Sequence, residues 1–121
     1  MQLLLIALGG AVGALLRYGV ARWLQAAGGG FPTATLVVNV SGSLLMGFLV
    51  TFFLERTHVP VGLRLGLTVG VLGAYTTFST FSIETLDLLR GGGLGYAALN
   101  IVASVVAALL AVWAGQALAR A

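Results

Sequence analysis

Apolar residues run through this chain in four long stretches, and the residues between the stretches are those that end helices. The first stretch covers about residues 3–26 and stops at Gly28-Gly29-Gly30 and Pro32. The second covers about 35–54 and stops at Glu55-Arg56-Thr57-His58 and Pro60. The third covers about 61–89, and the fourth covers about 94–119 after Arg90 and Gly91-Gly92-Gly93. Glycine runs and proline punctuate helices because one frees the backbone and the other removes a donor. A helix needs about 20 apolar residues to cross the hydrocarbon of a bilayer. The pattern therefore predicts an all-α integral membrane protein with four transmembrane helices in a single domain over residues 1–121. Short connections make neighbouring helices antiparallel.

Two features complicate this four-helix picture. The third stretch is too long for one straight crossing, and its middle is polar: Gly73-Ala74-Tyr75-Thr76-Thr77-Phe78-Ser79-Thr80-Phe81-Ser82-Ile83-Glu84-Thr85. Such a density of hydroxyls predicts a helix break near 73–77. A broken helix frees backbone carbonyls and amides, which is tolerated only where protein, water or an ion satisfies them. Freed carbonyls are good ligands for a small hard cation such as Na⁺. Small residues also recur every four positions, at Gly9 and Gly13, at Gly62, Gly66 and Gly70, and at Ala103, Ala107, Ala111, Gly115 and Ala119. That spacing lets helix backbones approach closely, and three such stripes point to tight packing that includes a partner chain.

Composition agrees with the membrane reading. Of 121 residues, 60% are hydrophobic and only 7% charged, against about a quarter charged in a soluble domain. A soluble bundle with so few charges cannot cover its own surface. The absence of cysteine excludes disulfides and thiolate metal sites. His58 has no ligand partner at metal spacing and reads as a solvated loop residue. Six arginines, scattered and without lysine, make no nucleic-acid patch. Met1-Gln2 offers no basic n-region and the apolar run outlasts a signal sequence, so the first stretch reads as a mature helix. With four crossings, Arg56, Arg64 and Arg120 fall on one side and Arg17, Arg22 and Arg90 on the other. Orientation normally follows an excess of Lys and Arg on the cytoplasmic side. Three against three leaves no excess, which is what a chain inserting in both orientations shows.

Polar residues inside a membrane usually face the bundle interior or a water path. Arg17 lies about 20 Å along a path of about 30 Å. It either snorkels to the far face or lines a vestibule that concentrates anions. Asn39, with Ser43 four residues on, supplies donors to an anion or makes a helix–helix hydrogen bond. Phe78, Phe81 and Glu84 share one face of a helix. The two rings are either core or ring edges turned toward a path, since an aromatic edge carries partial positive charge. Asn100 and Ser104 form a similar polar strip on the last helix. No enzyme constellation is present: no His lies near a Ser, no carboxylates pair deep in the membrane, and no phosphate loop follows a strand.

These residues resemble the Fluc family of fluoride channels, also called CrcB proteins. The resemblance runs in order along nearly the whole chain. It covers Gly9-Gly10, Gly13-Ala14, Arg17-Tyr18, Pro32, Thr35-Leu36-Val37-Val38-Asn39, Gly42, Gly47, Gly73, Thr76-Thr77-Phe78-Ser79-Thr80-Phe81 and Glu84. The T-T-F-S-T-F run is its most specific part. The resemblance implies an antiparallel, dual-topology homodimer in the bacterial inner membrane with two pores for fluoride export. It implies that Phe78 and Phe81 are the ring-edge phenylalanines and Asn39 the pore asparagine. Ser79 and Ser104 are then members of its polar track, Glu84 stands near one end of the path, and Arg17 is the vestibule arginine; Ser43, Thr80 and Asn100 are candidate pore positions from the polar faces they share rather than from the resemblance. It also implies that Gly73 and Thr76 give carbonyls to a structural Na⁺ at the dimer interface. Asn100 stands where some relatives have a tyrosine, and Ala108 where some have a hydroxyl. The rival reading is a proton-coupled small multidrug exporter. It needs a membrane-embedded carboxylate, and the first helix holds no acid.

Overall fold

A computed structural model of the chain describes residues 1–25 and 28–121. The end expected for the first helix, at residue 26, lies outside the described residues. All the regular structure of the described residues is helical, with no strand among them. Helix α1 is Gln2–Gln25, α2 is Thr33–Glu55, and the last helix, α6, is Leu94–Arg120. The third crossing is composite: α3 (Val61–Leu65), a π-helical stretch (Gly66–Leu72), α4 (Gly73–Tyr75) and α5 (Phe78–Arg90). Four helical spans are thus long and apolar enough to cross a membrane: Gln2–Gln25, Thr33–Glu55, Val61–Arg90 and Leu94–Arg120.

Pro32 and Pro60 stand immediately before α2 and α3, positions where a missing N–H costs no helical bond. At the far end of α5, Gly92 takes a φ of 80° and the chain turns into α6. Only a glycine adopts that conformation at no steric cost.

The spans pack as two pairs, α1 on the third span and α2 on α6. A Cβ added at Gly13 would collide with the Val71 carbonyl, and one at Gly70 would lie 2.7 Å from the Ile6 carbonyl. Gly115 of α6 meets the backbone of Leu44 and Phe48 on α2 in the same manner. The glycines at these contacts are therefore spent inside the chain. Their close approach replaces a hydrophobic drive, which lipid does not supply between helices.

The break falls within the polar segment and is narrower than 73–77. Residues 73–75 remain helical, and only Thr76 and Thr77 are extended, with ψ of 155° and 116°. At 1.5 Å per residue, 30 residues in one straight helix would span about 45 Å, more than the hydrocarbon thickness. The break and the widened π-helical turn fold that excess into the bundle. Arg120 and Glu55 approach to 3.9 Å, which puts the ends of α2 and α6 on the same side.

Candidate functional site

Two polar clusters lie on either side of α5. The first is built at the break. Asn39 of α2 donates from Nδ2 to the Thr77 carbonyl at 2.9 Å and accepts the Thr77 N–H on Oδ1 at 2.7 Å. Its amide thus pairs with one residue's backbone as a neighbouring strand would. Gly42 allows this approach, because a Cβ there would collide with the Thr76 methyl. Ser41 holds the Tyr75 hydroxyl at 2.9 Å. Thr77 also caps α5: its Oγ1 accepts the Thr80 N–H at 3.2 Å and donates to the Thr80 hydroxyl at 2.9 Å. Ser79 is exposed, with its Oγ 3.5 Å from that of Thr77.

These bonds have a consequence for the carbonyls. In a continuous helix the Gly73 carbonyl would take the Thr77 N–H, and the Thr76 carbonyl would take the Thr80 N–H. Here Asn39 holds the first amide and the Thr77 side chain the second. Gly73 and Thr76 both lose their helical donors. The break therefore sets the carbonyl end of one helix beside the amide end of the next. One end carries partial negative charge and the other partial positive.

A cavity of about 750 Å³ opens onto this cluster. Arg17, Thr35, Thr77, Thr80, Glu84 and Asp87 contribute its polar lining, and Gly28 to Thr33 form part of its wall. Arg17 thus faces the cavity wall shared with two acids. Thr35 is buried and donates to Glu84 Oε1 at 2.7 Å, while Glu84 Oε2 is buried without a partner among the described residues.

The second cluster joins α5 to α6. Ser104 donates to Asn100 Oδ1 at 3.3 Å, Asn100 Nδ2 donates to Thr85 Oγ1 at 2.9 Å, and Thr85 donates to the Phe81 carbonyl at 2.7 Å. Asn100 is 1% exposed. Phe78 and Phe81 lie with ring centroids 5.4 Å apart, their planes at 40°. Phe81 is half-buried, whereas Phe78 is 78% exposed and projects from the surface of the single chain.

A family model for the "CrcB-like protein, Camphor Resistance (CrcB)" matches residues 4–116. The chain belongs to the CrcB-like family. It is 49% identical to a fluoride-specific ion channel of Geobacter metallireducens, over 99% of this chain and 98% of that protein. It is 45% identical to one of Agrobacterium fabrum over 99% and 97%, and 53% identical to one of Methylococcus capsulatus over 99% of this chain. The chain spans about half, 53%, of the length of the Methylococcus relative. Family and helices together make this CrcB-like chain a multi-pass membrane protein. The relatives it matches are named as channels, not enzymes.

Of the residues singled out from sequence, Asn39 and Thr80 meet at the break, Arg17 and Glu84 at the cavity, and Phe81, Asn100 and Ser104 at the α5–α6 contact. Ser43 stands half-buried on α2, and Ser41 rather than Ser43 makes the cross-helix bond. Sequence reasoning missed Thr35, Thr77 and Thr85 as partners of the named residues, and Asp87 as part of the cavity. The signal was available for the threonines, since each is a hydroxyl in a membrane span. Their partners sit on other helices, which spacing along one helix does not reveal.

Proposed function

We propose that this chain forms a passive, fluoride-selective channel that exports fluoride across the bacterial inner membrane. The observation that carries the proposal is identity of 45–53% across almost the whole chain to proteins named fluoride-specific ion channels. The site's chemistry supports it. Fluoride is small and strongly hydrated, so a selective path replaces its water with well-placed donors over a narrow length. One N–H of the Asn39 amide is held by Thr77, and an amide has a second to offer. The hydroxyls of Ser79, Thr80 and Ser104, the Asn100 amide and the edges of Phe78 and Phe81 are donors of the same kind. Arg17 at the cavity raises the local anion concentration.

The working unit in this reading is an antiparallel homodimer with two pores. Two observations support it: the balanced arginines, and the exposure of Phe78 and Ser79, which need a second wall to enclose an ion. A structural Na⁺ at the dimer interface belongs to the same reading. The Gly73 and Thr76 carbonyls, both without their helical donors, fit a hard cation, and two from each subunit make four oxygens. Bound there, the ion supplies positive charge that holds like carbonyls together. The multidrug-exporter reading is not favoured. Family membership argues against it, and the first helix holds no acid.

Proteoliposomes carrying the purified chain test the proposal with a fluoride electrode. Rapid fluoride efflux without chloride efflux is expected, and Phe78→Ile and Phe81→Ile should each slow it by about tenfold or more, the scale of one or two lost contacts to a dehydrated ion. Equal chloride flux, or full flux in both variants, sinks it.

A further inference from the structure

Asparagine occurs in this chain only at positions 39 and 100, and the two amides differ in one respect that matters. The partners of Asn39 are a backbone N–H and a backbone carbonyl. Neither can reverse its role, so rotating the Asn39 amide by half a turn would set donor against donor and acceptor against acceptor. The partners of Asn100 are the hydroxyls of Thr85 and Ser104. A hydroxyl donates or accepts as its hydrogen turns. A half-turn of the Asn100 amide therefore keeps both bonds and reverses them: Thr85 donates to Oδ1, and Nδ2 donates to Ser104. The Phe81 carbonyl loses the Thr85 hydroxyl but lies within α5, where the amide four residues on still serves it.

We propose that the Asn100 amide is a two-position switch that decides whether the Ser104 hydroxyl is committed to protein or free to donate to an anion. This rests on the fluoride reading given above. In the arrangement seen here, every donor runs one way, from Ser104 through Asn100 and Thr85 to the Phe81 carbonyl, and Ser104 has its hydrogen engaged. In the reversed arrangement, Nδ2–H holds the Ser104 oxygen and its hydrogen points away, toward whatever occupies the path. Asn100 is thus a positioning residue that acts through Ser104. Burial makes the device discrete: with 1% exposure, water does not compete for the amide, and only the two orientations that keep the bonds to Thr85 and Ser104 are low in energy.

Asparagine-selective ¹⁵N labelling in lipid nanodiscs gives one side-chain amide signal per site. The expected result is microsecond-to-millisecond exchange broadening at Asn100 that changes when NaCl is replaced by NaF, with no such broadening at Asn39. Fluoride efflux supplies the second arm. Without Nδ2–H, Ser104 turns back onto the carbonyl four residues before it, so Asn100→Leu should match the loss from Ser104→Ala. That loss is about tenfold, the scale of one hydrogen bond to an ion. The double variant should be no worse than either single one, the mark of residues acting as a unit. A static Asn100 amide, or single losses that multiply in the double variant, overturns the switch. A wild-type chain without fluoride efflux overturns the channel reading instead, and the amide signals then still decide whether the switch exists.

Discussion

Two asparagines packed against the third span, Asn39 half-buried and Asn100 buried, carry opposite kinds of bond. Asn39 is fastened to the backbone of Thr77, and its geometry fixes where the main chain goes. Asn100 is fastened to side chains that accommodate either orientation of its amide. One amide builds the fold at the break, and the other sits on a fold that α5 and α6 already define. The difference teaches that a polar residue in a membrane span is not of one type. What it binds, backbone or hydroxyl, decides whether its loss is felt first in structure or first in conduction.

The sharpest way to break this comparison is to remove the Asn39 amide. Asn39→Leu leaves the Thr77 N–H without its partner and the Thr77 carbonyl with only the bond an N-cap carbonyl takes from its own helix, and an unpaired buried group costs about 1–3 kcal/mol. The variant should melt well below the wild type in detergent, followed through Trp23 and Trp113, and its fluoride efflux should fall by roughly a hundredfold or more. A variant that melts as the wild type does would place Asn39 with Asn100 and remove the distinction.

Gly42→Ala attacks the same cluster from the packing side. The added methyl collides with Thr76 and lies 3.2 Å from the Tyr75 ring, so α2 must move away from the break. Overpacking of this kind costs about 1–3 kcal/mol. The melting point should fall by less than in Asn39→Leu, because the Asn39 bonds can survive a small shift. Gly10→Ala is the control on α1, where nothing lies within 4 Å of the added atom. It should leave stability unchanged or raise it by a few tenths of a kcal/mol, as alanine does in helices. Equal losses at both positions would mean that helix propensity, not the approach to the break, sets the cost.

A smaller effect is expected from the ion. If the Gly73 and Thr76 carbonyls hold Na⁺, replacing Na⁺ with a bulky organic cation should loosen the dimer by several-fold in dissociation constant, a shift of about 1 kcal/mol. Cross-linking yield against cation identity measures it. The dependence should be lost in Asn39→Leu, where the carbonyls are no longer presented. A dimer indifferent to Na⁺ in the wild type would leave the break as a backbone feature without a cation.

How much of this was written in the linear chain depends on which helix carries the partner. The four crossings were legible because lipid demands apolar length, and the stretches stop at glycine, proline and charge. The break was legible from six hydroxyls between Thr76 and Thr85 in a span that must otherwise stay dry. Asn39, Glu84 and Asn100 stood out as polar groups in apolar surroundings, yet of their partners only Ser104, one turn along the same helix as Asn100, did. Thr35 for Glu84 and Thr85 for Asn100 depend on the register between helices. That register is set by where Gly13, Gly42 and Gly115 let backbones meet. The π-helical turn at Gly66–Leu72 left no trace either, since an apolar run reads alike whether it winds by four or by five. Ser43 shows the same limit: helical spacing put it with Asn39, but the face of α2 toward the break carries Ser41 and Gly42.

The smallest effect belongs to the second asparagine and is the most informative. Asn100→Leu exchanges the amide for an apolar group of similar size and removes two side-chain hydrogen bonds. The hydroxyls it leaves are not stranded: Thr85 already donates to the Phe81 carbonyl, and Ser104 can turn to the carbonyl one helical turn back. Side-chain hydrogen bonds between membrane helices are worth only about 0.6 kcal/mol on average. The melting point should therefore shift by the equivalent of about 1 kcal/mol or less, even though efflux drops. That separation, a conduction defect on an intact fold, is what Asn39→Leu cannot show, because there the two losses arrive together. Should Asn100→Leu melt as low as Asn39→Leu, the α5–α6 contact would be a second structural clamp, and the contrast between fixed and reversible amides would fall with it.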